Sequence, residues 1–352
     1  MKFGRRISAA VAAAVVLLPS IAPAEETPPP QEDAALLAYA DTSRSVTLSD
    51  GRRIHLTCMG EGAPTVILAA GAGNWGASWK KVQPEIAKRT RVCAWDRAGY
   101  GLSDASPVRQ TILATTADLA EALDRSGLPG SFVMVGHSLA GLELLLLADR
   151  MPQRIAGMVL VDPSIPGQAA KIAAVAPQTA RFMEAFQAQI LAYVRGCADA
   201  LSSGKLTPGG ADPDGCLAYP PEVPAALRDA LVRADMQPGR FATAASFTDA
   251  MHEEMALAVN PRRDLGAMPL IVLTAAEPPD FPPDTPQAVT DEVQAVTVVF
   301  RAGHEEIARL STRGVQRVVP GTSHNIQQIR PEAVVSAVSE LVDTVRAEAR
   351  AD

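Results

Sequence analysis

Short apolar runs of strand length alternate with helical segments along this chain, and that alternation restricts it to a few architectures. Residues 64–70 read as a short buried strand, and residues 91–95, 131–135, 155–161, 269–275 and 315–319 as further strands. Residues 78–89 have helical spacing, with Trp79, Val82 and Ile86 on one face. Residues 114–126 form a second amphipathic segment carrying Leu119, Ala122 and Leu123, stopped by Gly127. Residues 139–150 form a strongly apolar helix, and residues 331–349 a closing helix with Pro331 in its first turn. Upstream, residues 45–49 and 53–57 read as a hairpin turned by Asp50-Gly51. Strands separated by helices predict an α/β protein: a mostly parallel sheet covered on both faces. Residues 164–262 break the rhythm with helical segments at 180–195, 222–234 and 242–258 and Pro- and Gly-containing loops. They read as a helical cap inserted between core segments 41–163 and 263–352.

The chain opens with an export signal. Lys2, Arg5 and Arg6 precede an apolar run over residues 7–18, and Ala22-Pro23-Ala24 supplies the small residues of a cleavage site. Residues 1–24 are therefore expected to be removed, and the apolar run is too short for a stable membrane anchor. Residues 25–40 read as a disordered leader, from the Pro and acid content of residues 25–33. The net charge of −7 becomes −10 once three cations leave with the signal. That excess of acid, with 4% aromatics, argues against a nucleic-acid partner. Export to the periplasm or beyond puts Cys58, Cys93, Cys197 and Cys216 in an oxidising compartment, where an even count suggests disulfides. Their spacing matches no zinc motif, and no metal is expected. The sequence is silent on oligomeric state.

Gly136-His137-Ser138-Leu139-Ala140-Gly141 sits where a strand ends and a helix begins. A serine at such a turn is exposed above the sheet, and small neighbours let the backbone bend sharply. The Leu139 N–H, at the helix N-terminus, is placed to meet a developing oxyanion. A serine hydroxyl needs a base, and His324 lies on the loop after the last strand. The other histidines compete poorly. His55 lies in the hairpin, His137 should point away from Ser138, and His252 and His304 sit among glutamates on helical segments.

Residues 45–163 and 264–349 resemble the α/β-hydrolase superfamily. Besides the serine turn, Ala70-Gly71-Ala72-Gly73 is similar to the family's oxyanion loop. The run from Arg91 to Asp104, containing Asp96-Arg97-Ala98-Gly99-Tyr100-Gly101, looks like its strand-and-loop signature, and Pro320-Gly-Thr-Ser-His324 like its histidine loop. The resemblance implies a serine hydrolase acting on a small-molecule ester without cofactor, with Ser138 as nucleophile, His324 as base, and the N–H groups of Ala72 and Leu139 as oxyanion donors. It leaves the acid open. Asp162 follows the strand after the serine helix, whereas Glu277 and Asp280 follow the strand where the family more usually carries its acid. Asp162 is the first choice, Glu277 the second and Asp280 the third.

The same resemblance makes the strands of Cys58 and Cys93 neighbours and suggests that pair, leaving Cys197–Cys216 to close a short loop in the cap. Trp75, beside the oxyanion loop, is a candidate pocket residue. The apolar cap residues Phe182, Met183, Phe186, Ile190, Leu191, Met236, Phe241, Phe247, Met251 and Met255 read as packing first and as a ligand wall second, and the expected substrate is small to medium and apolar. A Ser-dependent lactonase, C–C hydrolase or acyltransferase is the alternative chemistry, and a non-catalytic binding protein the alternative class. Haloalkane dehalogenases and epoxide hydrolases of this superfamily use a carboxylate nucleophile, which Ser138 replaces. Two other motifs have local explanations. Gly71-Ala-Gly73-Asn-Trp-Gly76 with Asp96 satisfies a dinucleotide fingerprint, but it leaves Ser138 and His324 unexplained. Ser103 in Gly101-Leu-Ser-Asp-Ala105 opens no helix and reads as a turn residue.

Overall fold

Parallel strands buried on both faces must be apolar at nearly every position, and the central strands here are. The computed structural model describes residues 32–350 apart from 42, 44, 211, 213, 257 and 279–284. The expected signal peptide, residues 25–31 and Asp280 lie outside the described residues. A small hairpin pairs β1 (Val46–Thr47) with β2 (Arg53–Ile54). The main sheet contains β3 (Leu56–Met59), β4 (Thr65–Ala69), β5 (Val92–Trp95), β6 (Phe132–His137), β7 (Ile155–Val161), β8 (Leu270–Ala275) and β9 (Gly314–Val319). Its order is β3-β5-β4-β6-β7-β8-β9, with β3 antiparallel to β5 and every other pairing parallel. β4 to β6 and β6 to β7 run side by side, so the carboxyl ends of the middle strands gather at one edge.

Helices cover both faces. In chain order they are α1 (Gln83–Ala87), α2 (Ile112–Arg125), α3 (Ala140–Arg150), α4 (Gln168–Val175), α5 (Pro177–Ser202), α6 (Ala225–Asp235), α7 (Arg240–Glu254), α8 (Gln287–Thr290), α9 (Val293–Ala308), α10 (Ile326–Ile329) and α11 (Pro331–Glu348). The pleat divides the core. Phe132 and Met134 of β6 pack with Leu119 of α2 and Leu144 and Leu147 of α3. Val133 and Val135 pack on the other side with Ile86 of α1 and Val338 and Leu341 of α11. α2 begins where the Thr111 side chain accepts the Ala114 N–H at 3.0 Å, a cap typically worth about 1 kcal/mol.

Three expectations change. The helix predicted over residues 78–89 is split into a 3₁₀ turn at Gly76–Trp79 and the short α1. Pro84 is the reason: it has no N–H to give and its ring clashes with the preceding turn. Trp79, Val82 and Ile86 are nevertheless all buried. The leader is not disordered over its second half. Ala34–Ala40 form a 3₁₀ helix capped by Asp33, with Leu36 and Tyr39 buried. Their three-residue spacing puts them on one side of a 3₁₀ helix. The Tyr39 hydroxyl donates to Gln83 at 2.8 Å, and the Asp33 N–H to the Glu222 carbonyl at 2.8 Å. Between β7 and β8, α5 is longer than the expected 180–195 segment and α4 precedes it.

Cys58 and Cys93 are register partners on β3 and β5 and are disulfide-bonded. A second disulfide, Cys197–Cys216, ties α5 to the loop before α6. Two disulfides are compatible with an oxidising compartment. Among the described residues no helix is long and apolar enough to cross a membrane.

Candidate active site

β6 ends at His137, α3 starts at Ala140, and the backbone turns between them at Ser138 with φ of +55°. A serine held there carries strain, of order 1–3 kcal/mol. Backbone bonds on either side hold it. The Ser138 N–H donates to the Val161 carbonyl at 3.1 Å, and the Ser138 carbonyl accepts from Gly141 and Ser164 at 2.9 Å each. Gly141 is required by packing: a Cβ there would stand 2.4 Å from the Pro163 side chain. Ala140 is tolerated because the close approach falls on the next residue.

His324 Nε2 lies 2.9 Å from Ser138 Oγ, and His324 Nδ1 lies 2.7 Å from Asp162 Oδ2. The other carboxylate oxygen, Oδ1, accepts the Ala275 N–H at 2.8 Å. Burial pushes the Asp162 carboxyl up, but the hydrogen bond and charge of His324, with the Ala275 N–H, hold it below the ordinary carboxylate range. Asp162 itself has φ of +43°.

The loop after β4 lies against this group. A Cβ on Gly71 would stand 2.9 Å from His137 Nδ1 and 3.1 Å from Ser138 Cβ, so only glycine lets the loop come so close. Neither the Ala72 nor the Leu139 backbone N–H has an acceptor among the described residues. Around them, Leu139, Leu142, Phe247 and Met255 form one buried apolar cluster, with Ala72, Tyr100 and Met251 packed against it. Phe247 of α7 thus packs in the same cluster as Leu139, the residue after Ser138.

Of the three candidate acids, only Asp162 reaches His324 among the described residues. Glu277 is exposed; its N–H donates to the Thr322 carbonyl at 2.9 Å, and it lines a small cavity beside Asp162 and His324. Trp75 is half-buried, edge-on to Tyr39 at 6.1 Å, in the cluster on the α11 side of the sheet. The glycine motif and Asp96 do meet, but internally: the Gly76 N–H donates to Asp96 Oδ1 at 2.7 Å and the Leu102 N–H to Oδ2 at 2.9 Å. Burial pushes the Asp96 carboxyl up. Ser103 accepts the His55 N–H at 2.9 Å and donates to the Asp96 carbonyl at 2.7 Å, as a turn residue should.

A second serine–histidine contact exists at Ser45 and His55, 3.4 Å apart. It lacks the third member, because His55 Nε2 faces the Thr57 hydroxyl rather than a carboxylate. Two histidines play parts that sequence spacing does not reveal. His137 Nε2 donates to the His324 carbonyl at 3.0 Å, anchoring the histidine loop. His304 is fully buried, not among surface glutamates: its Nε2 donates to the Pro163 carbonyl at 2.7 Å, and its Nδ1 meets the Thr274 hydroxyl at 2.9 Å.

Residues 64–200 match a family model described as alpha/beta hydrolase fold. The YbdG protein of Bacillus subtilis is 27% identical over 139 residues, which are 39% of this chain and 42% of that protein. The match therefore spans less than half the length of that relative. A thermophilic esterase from Thermogutta terrifontis superposes with a TM-score of 0.51 at 21% identity, over 86% of this chain and 98% of the esterase. The Bacillus megaterium epoxide hydrolase gives a TM-score of 0.57 at 14% identity, over 85% of this chain and 99% of that one. With the strand order of the main sheet, these likenesses show that the chain has the α/β-hydrolase fold.

Proposed function

We propose that the protein is an exported serine hydrolase that cleaves an ester-like bond through an acyl-enzyme. The observation that carries this reading is the unbroken line from Ser138 through His324 to Asp162, at 2.9 and 2.7 Å. Ser138 Oγ attacks the substrate carbonyl carbon while His324 Nε2 takes its proton. Asp162 fixes the imidazole orientation and stabilises its cation. The Ala72 and Leu139 N–H groups receive the oxyanion. His324 then returns the proton to the leaving alcohol, and water, deprotonated by the same histidine, releases the acid.

Epoxide hydrolases of the superfamily this chain resembles use a carboxylate nucleophile, so a serine at 138 supports acyl transfer over epoxide opening. The apolar surroundings of Leu139, Phe247 and Met255 favour a small to medium apolar ester. Two disulfides support an extracytoplasmic location. The test is hydrolysis of esters of graded acyl length by wild type and Ser138→Ala. Turnover by wild type, with a loss of about 10³-fold or more in the variant, is expected. Turnover by the variant within about tenfold of wild type contradicts the reading.

A further inference from the structure

Arg97 and Glu143 form a buried ion pair close to the two N–H groups assigned to the oxyanion, and the role argued for the pair rests on that assignment. Arg97 follows β5 and its side chain is 2% exposed; Glu143, in the first turn of α3, is 0% exposed. Arg97 Nε donates to Glu143 Oε1 at 2.8 Å, and Nη2 donates to Oε2. The Thr115 hydroxyl of α2 donates to the same Oε1 at 2.6 Å. The rings of Trp95 and Phe247 cover the guanidinium, with centroids 5.6 and 5.5 Å from Cζ. The third guanidinium nitrogen, Nη1, donates to the carbonyl of Gly71 at 3.2 Å, an oxygen that also accepts the Asn74 N–H at 3.2 Å.

That carbonyl and the Ala72 N–H belong to one peptide unit. A trans peptide is planar, with its C=O and N–H pointing in opposite directions. The two donors on the Gly71 oxygen, Arg97 and the Asn74 N–H, therefore set the direction of the Ala72 N–H, and of the two only Arg97 is charged. A charged donor on the oxygen also polarises the amide and makes its N–H a stronger donor. Glu143, which grips the arginine, lies four residues after Leu139 on the helix that begins at the second donor. Stability gives little reason for such a pair, because buried ion pairs are often replaceable by apolar residues without loss. Geometry gives a reason. We propose that Arg97, held by Glu143, is a positioning residue that aims and polarises the Gly71–Ala72 peptide for oxyanion binding, tying its donor to that of Leu139.

The test compares an oxygen ester with the matching thionoester, whose sulfur accepts hydrogen bonds weakly. The double variant Arg97→Met/Glu143→Leu leaves no unpaired charge in the core. Its expected behaviour is a fall in kcat of about tenfold or more on the oxygen ester, short of the ~10²–10³ for outright loss of a donor, with KM little changed. Thionoester turnover should stay within about threefold of wild type, because it depends less on the donors. Arg97→Lys keeps a cation opposite Glu143 without the planar fork, and should show the same selective loss; it decides alone if the double variant does not fold. Equal losses on both substrates, or oxygen-ester kcat within about threefold of wild type, would overturn the proposal. Failure of the hydrolase assignment looks different: wild type would turn over neither ester, and the proposal would fall with it.

Discussion

Ser138 and Asp162 are the two non-glycine residues with positive φ among the described residues, at +55° and +43°, and they end the adjacent parallel strands β6 and β7. Their turns are bonded to each other, since the Ser138 N–H donates to the Val161 carbonyl and the Ser164 N–H to the Ser138 carbonyl. Strained backbone of this kind persists only where its surroundings over-determine it. Here Gly141 against Pro163, and His304 on the Pro163 carbonyl, supply that determination. The proposed nucleophile and acid are thus held relative to each other by main chain, and His324 bridges them.

Asp162→Asn should lower kcat by up to ~10⁴-fold, because His324 loses the acceptor that orients it and stabilises its cation. Glu277→Gln should change kcat little, since that carboxylate makes no hydrogen bond to His324. Steady-state kinetics of the two variants decide the matter. A collapse in Glu277→Gln with near wild-type kcat in Asp162→Asn would move the acid to the other strand.

Acid should destabilise the protein through His137. Burial, with the neighbouring His324, pushes this imidazole down to about 3. An unfolded histidine takes a proton below about 6.5. Between those values the unfolded state binds more protons, so stability falls as pH drops from about 6.5 toward 3, by up to roughly 4–5 kcal/mol. Urea unfolding of wild type at pH 7 and pH 4 should show this loss. His137→Gln, which keeps a donor for the His324 carbonyl, should lose less over the same interval. Identical pH dependence in the two proteins would show that His137 is not the titrating group.

The Cys197–Cys216 bond should stabilise the segment between β7 and β8 against unfolding. It closes a loop of sequence separation 19, worth about 3 kcal/mol in the chain-entropy treatment. Cys197→Ser/Cys216→Ser should therefore lower the denaturant midpoint under non-reducing conditions. An unchanged midpoint would mean that packing alone holds α5 to that loop.

The central strands are legible in the sequence because they are buried throughout and apolar at almost every position, as in Thr65–Ala69 and Phe132–His137. The serine turn is legible because it lies directly after such a strand; the histidine loop follows the more polar β9 and is legible from Pro320-Gly-Thr-Ser-His324 itself. The choice of Asp162 over Glu277 can be ranked but not decided by spacing, since it depends on which strand end His324 leans toward. The 3₁₀ helix at Ala34–Ala40 escapes notice because two buried side chains, Leu36 and Tyr39, are too few to set a period. His304 reads as a surface position because glutamates follow it, yet helix α9 turns its other side to the Asp162 loop. Arg97 and Glu143 are separated by 46 residues, and no local pattern joins them.

The most direct measurement is active-site labelling with a fluorophosphonate, read by peptide mapping. Wild type should carry the adduct on Ser138. Ser138→Ala should carry none and should lose ester turnover by about 10³-fold or more while keeping its thermal transition. Labelling that maps to another residue, or that persists in Ser138→Ala, would contradict the assignment of Ser138, His324 and Asp162 as the reacting group.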